Sequence, residues 1–212
     1  MGRLTTTFDL RLNPGEWDIL VPGLRACSFP FSRIRRKTGA KVPISVADTS
    51  RYNQAVKDTA HAHVHDDEGE AHVLADPTRR AALGLYWLPT REHPAGRIEV
   101  GTEALSDPHL AREVMLAEVA HAVDYGAITD RQRAKLMGLF EHRHQGHDHP
   151  GWFEEHGETA YFAWRGERWM GLFMAAYAPT LPRPLEARQP WHWDYDNRDV
   201  TAVRRILRRP RP

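Results

Sequence analysis

Through the stretch LAREVMLAEVAHAVDYG, residues 110–126, apolar and polar positions recur in steps of three and four, the period of an amphipathic helix. Leu110, Val114, Ala117, His121 and Asp124 fall on one face, while Leu116, Val119, Ala120 and Val123 fill the flank expected to be buried. Asp107-Pro108 supplies a start signal and Gly126 a stop. Glu118, His121 and Asp124 follow at intervals of three, so their side chains share one sector of the helix. Here alone do residue type, spacing and secondary structure converge on one kind of chemistry.

The pattern elsewhere predicts short strands before this helix and further helices after it. TTTFDLRL alternates as a strand, Asn13-Pro14-Gly15 makes a turn, and EWDILV is expected to return as a second strand. FPFSRIRRKTGAK follows as a solvated basic loop or, alternatively, a phosphate- or partner-binding arm, carrying Arg33, Arg35, Arg36, Lys37 and Lys41. VPISVAD is a strand, and AHAHVHD with EAHVLAD forms two strands around a turn at Asp66 to Gly69. LGLYWLP and GRIEVG make another hairpin, connected by Thr90 to Gly96. Beyond Gly126, Thr129 or Asp130 caps a helix over DRQRAKLMGLFEHRH, and a third helix begins near His156 and continues through ETAYFAWRGERWMGLFMAAY. The expected class is α+β, with residues 1–41 an N-terminal extension or arm, 42–178 the domain, and 179–212 a Pro/Trp-rich and basic tail.

Composition narrows the function classes. A chain of 212 residues can bury one sizeable core. A net charge of +1 argues against a chain-wide nucleic-acid surface. The single cysteine, Cys27, excludes an intramolecular disulfide framework and suits a reducing compartment. MGRLTTTFDL lacks the basic-then-apolar pattern of a secretion signal, and no stretch approaches the roughly 18 apolar residues of a membrane span. A cytoplasmic or virion location, with no membrane partner, is the expectation.

The segment Ala117-Glu118-Val119-Ala120-His121-Ala122-Val123-Asp124 resembles the zinc-binding helix of the zincin metallopeptidases, whose motif is H-E-x-x-H. The order of strands and helices over roughly residues 42 to 178 is similar to the small zincin domains, in which a strand runs along the cleft above the metal helix. The resemblance implies Glu118 as the residue that polarises the attacking water and His121 as the second zinc ligand. Position 117, where the first ligand belongs, is Ala. In the glutamate-ligand class, including the anthrax lethal factor-like branch, Glu often stands directly before an aromatic-Phe-Ala run and supplies the last ligand. Here Ala160 precedes Tyr161-Phe162-Ala163, and Glu158, two residues earlier, points about 200° away.

Other donors stand ready as substitutes. His61, His63 and His65 alternate and share one face of a strand, with His72 on the neighbouring one; the alternative is an exposed polar edge. His142, His144, His147, His149 and His156 crowd the segment after the second helix, as a solvent-exposed loop or an adventitious chelating site. Trp191, Trp193 and Tyr195 pair apolar faces with polar tips, suited to a partner or to this chain's own core. Val203, Ile206 and Leu207 form a stripe beside Arg204, Arg205, Arg208, Arg209 and Arg211, suited to an acidic partner or a weak nucleic-acid contact.

These residues lead to one expected function and two competitors. With Ala at position 117 and again at 160, the expectation is a non-catalytic, pseudo-peptidase protein that uses a zincin-like scaffold as a structural or interaction subunit. Its Arg-rich, Lys-poor chain with extended arms is similar in style to bacteriophage structural subunits. No cofactor is expected unless zinc is rescued by His61, His63, His65, His156, Glu158 or Asp124, which defines the first competitor, an active zinc metallopeptidase. A regulatory or immunity protein binding a protein partner through the old cleft is the second.

Overall fold

The computed structural model of the protein describes residues 4–49, 64–66, 69–71, 83–143, 169–179 and 196–208. In chain order these form β1 (Phe8–Arg11), α1 (Pro14–Ala26), α2 (Ser32–Thr38), β2 (Val42–Ala47), β3 (Val64–Asp66) and β4 (Gly69–Ala71). There follow β5 (Gly84–Trp87), β6 (Arg97–Gly101), a 3-10 turn (Thr102–Ser106), α3 (Pro108–Ala127), α4 (Asp130–Arg143), α5 (169–177) and α6 (Asn197–Leu207). The class is α+β. A mixed sheet has the order β1-β2-β6-β5, with β1, β2 and β6 parallel and β5 antiparallel to β6, and β3 and β4 form a separate hairpin.

The expected β2 and the β3–β4 and β5–β6 hairpins are present, and their alternation decides which side chains meet α3. Paired positions share a face, so Leu10, Ile44, Ile98 and Tyr86 form one row across the sheet, and Val46, Val100 and Gly84 the next. Ile44, Ile98 and Val100 are fully buried in this face. The two inward positions of the edge strand β5 are therefore Gly84 and Tyr86.

Helix α3 lies at the centre because its sequence is apolar almost all round. Asp107 caps it by accepting from the backbone N–H of His109 at 2.8 Å, and Pro108 occupies the first turn. Gly126 does not stop it. The helix runs on to Ala127, and Gly126 instead gives room to α2, since an added Cβ would lie 2.8 Å from Ile34 Cγ2.

Residues 16–21, expected to return as a strand, lie within helix α1. Asn13-Pro14-Gly15-Glu16 is a helix start rather than a hairpin turn: Asn13 Oδ1 accepts from the Glu16 N–H at 3.0 Å, and Glu16 Oε2 accepts from the Asn13 N–H at 2.9 Å. Pro22 lies inside the helix, which continues past it while burying Leu20, Val21 and Leu24 against the core. The basic loop is likewise a helix, α2, ended by Gly39 at φ 74°, a conformation glycine adopts without a Cβ penalty.

One hydrophobic cluster runs from Phe8 on β1 to Leu207 on α6. Phe8, Leu20, Leu24 and Ile34 from residues 1–41, and Val203 and Leu207 from residues 179–212, are buried in it. Phe29, Phe173 and Tyr177 meet edge to face or tilted at 5.1–5.5 Å. Trp169 Nε1 donates to the Ala120 carbonyl at 2.7 Å, which ties α5 to the side of α3 away from β5. In α6, an Asp196 capping box fixes the start and Val203 and Leu207 are buried.

Candidate functional site

Exposure along α3 identifies one open stripe. Ala111, Met115, Leu116, Val119, Ala120, Ala122 and Val123 are at 0%. Glu118, His121 and Asp124 are half-buried, Tyr125 is 39% exposed, and Val114 and Ala117 retain 7% and 5%. At 100° per residue these six positions form one contiguous sector. Ala117, buried at 5% and part of the core cluster, thus lies at the edge of this sector, between Asp124 and His121.

Strand β5 covers that stripe. An added Cβ at Gly84 would lie 2.5 Å from Val114 Cγ1 and 3.0 Å from Glu118 Oε1, so only glycine lets the strand approach the helix this closely. Two residues along, the Tyr86 ring stacks at 6.2 Å on His121 and at 5.8 Å on Tyr125. Its hydroxyl donates to the Ala95 carbonyl at 3.2 Å. Burial, and then the neighbouring Tyr125 and Asp124, push its phenol far above the ordinary range, so Tyr86 remains a neutral donor. Gly84 and Tyr86 were not singled out by sequence; the signal for them was the alternation of GLYW, which places both on one face.

Asp124 is held from the other side. Arg133 Nε lies 3.0 Å from its Oδ1, a second Arg133 nitrogen donates to its backbone carbonyl at 2.9 Å, and Arg133 also reaches Asp130 at 3.1 Å. Burial raises the Asp124 carboxyl above its ordinary value of 3.8 despite the opposing pull of Arg133 and Lys37. Because the folded-state pKa is the higher one, the folded chain binds the proton more tightly, and this contribution to stability is lost as pH rises from about 3.8. The stability of Asp124→Asn relative to wild type is therefore expected to improve with rising pH across that window. Urea titrations at several pH values check this, and a difference that moves the other way contradicts it.

The described residues do not fit a catalytic zinc. Such an ion needs three protein donors around an open position. Of the stripe, position 117 offers a methyl group and Asp124 is engaged by Arg133, leaving Glu118 and His121. Among the described residues, no three His, Cys, Asp or Glu side chains gather where they could hold one ion. His65 falls in β3, opposite Glu70. His61, His63, His72, His144, His147, His149, His156, Glu158, Trp191, Trp193, Tyr195, Arg209 and Arg211 lie outside the described residues. Arg204 donates to the Ala176 carbonyl at 2.6 Å and so holds α6 to α5, whereas Arg205 and Arg208 are exposed. No described helix is long and apolar enough to cross a membrane.

No protein-family model, curated protein or solved structure matches the chain.

Proposed function

We propose that the chain is a non-catalytic protein on a zincin-like framework, serving as a structural or interaction subunit. One observation carries this reading: a buried methyl group, that of Ala117, stands on α3 beside His121 and Asp124, at the position where the motif places its first imidazole. Glu118 and His121 keep the motif's spacing, and β5 runs over them as the cleft strand of that family does over its metal helix. The polar residues now serve packing. His121 stacks on Tyr86, and Asp124 anchors the start of α4 through Arg133.

Hydrolysis needs an activated water, and a carboxylate at position 118 would leave the barrier to amide cleavage high unless a metal lowered the pKa of that water. Incubating protein made without a histidine tag with casein and micromolar zinc is expected to give no cleavage above that of Glu118→Gln. Cleavage abolished both by a chelator and by Glu118→Gln contradicts the reading.

A further inference from the structure

Two basic clusters that lie far apart in the chain, in α2 and α6, are brought together by the fold. Arg33 donates to the Leu207 carbonyl at the end of α6 at 2.6 Å, and Lys37 donates to the Ile128 carbonyl at the end of α3 at 2.7 Å. Gln132, in the first turn of α4, donates to the Ile206 carbonyl at 3.1 Å. The body of α2, the start of α4 and the last turn of α6 therefore meet at one place. Residues 32–38, 130–136 and 204–208 carry ten Lys and Arg against one acid, Asp130.

These cations divide into two sets. Arg33, Lys37 and Arg204 satisfy helix-terminal carbonyls, Arg35 donates to the Thr6 carbonyl at 2.9 Å, and Arg133 holds Asp124 and Asp130. Arg36, Arg131, Lys135, Arg205 and Arg208 are exposed and have no ion-pair partner among the described residues. On α2, Arg36 is exposed and lies about 60° round from Arg33. In a chain of net charge +1, this is a marked local segregation of charge.

We propose that this composite face, built from α2, α4 and α6, binds the phosphate backbone of nucleic acid without reading sequence. The choice over an acidic protein rests on what the face lacks. A stable protein interface centres on buried aromatic or aliphatic anchors. These three segments expose none, the large hydrophobic exposed among the described residues being Tyr125 on α3. Spaced cations, four of the five being arginines able to fork onto phosphate oxygens, are sufficient for backbone binding through counterion release. The inference stands independently of the zincin reading, since no residue of the α3 stripe enters it.

The test is fluorescence polarisation with a short labelled DNA duplex of arbitrary sequence, a single-stranded RNA and labelled poly-glutamate, on wild type and on the triple variant R36E/R205E/R208E. All three positions are solvent-exposed, and circular dichroism checks that the variant keeps the fold. Wild type is expected to bind duplex or RNA at low salt. In the variant, affinity falls by about tenfold or more and the slope of log affinity against log salt flattens by about 2 to 3 units, close to one per cation removed. Binding to neither nucleic acid, binding unchanged in the variant, or tighter binding of poly-glutamate with the same sensitivity to the variant would each overturn the proposal, the last in favour of an acidic protein partner.

Discussion

Replacing Phe173 with alanine is expected to lower the unfolding free energy by about 3–5 kcal/mol, a large share of a domain's stability. The ring is fully buried and touches Phe29, Trp169 and Tyr177 with centroids at 5.4–5.6 Å. These partners come from the α1–α2 connection and from α5 itself, so no single neighbour can close the space the ring leaves. The consequence reaches the stripe on α3, because α5 is the element whose Trp169 indole binds the Ala120 carbonyl one residue before His121. Urea unfolding of the variant reads the loss directly. A change under about 1 kcal/mol would mean that α5 does not pack on the core in this way.

Leu207→Ala, near the end of the chain, is expected to cost about 2–5 kcal/mol, whereas Arg205→Ala two residues earlier should stay within about 0.5 kcal/mol. Leu207 is 1% exposed, and its carbonyl accepts from Arg33 at the other end of the sequence. Arg205 is exposed on the same helix. A fraying C-terminal tail would give two small and similar values instead. The contrast between these two positions of one turn separates a docked helix from a solvated one without reference to total stability.

How much of this was legible in the sequence depended on how local the determining signal is. Helix α3 was readable because Asp107-Pro108 opens a run whose apolar spacing never leaves the helical period. The two hairpins were readable because their turns lie between their strands. Helix α1 was misread, since Asn13-Pro14-Gly15 suits a turn as well as a capping box and Pro22 argues against a helix that burial nevertheless sustains. The parallel pairings of β1 with β2 and of β2 with β6 join residues 8–11, 42–47 and 97–101, and no turn chemistry announces a pairing across such separations. The ends of the chain were read as arm and tail because single-turn apolar patterns such as Val203 and Leu207 show a face without showing what covers it.

The candidate site divides in the same way. Glu118, His121 and Asp124 were placed on one sector by spacing alone, and the structure keeps them there. What each one touches is tertiary: Gly84 against Glu118, Tyr86 against His121, and Arg133 on Asp124. Arg133 lies nine residues beyond Asp124, past the end of α3, so helical periodicity could not pair them.

The proposed non-catalytic reading rests on Ala117 standing where a first zinc ligand would be needed, and zinc stoichiometry tests it most directly. Protein purified without a histidine tag, dialysed against micromolar zinc and then against zinc-free buffer, is measured by elemental analysis beside His121→Ala. The account predicts well under one zinc per chain in both, with no difference between them. One zinc per wild-type chain, lost in His121→Ala, would contradict it.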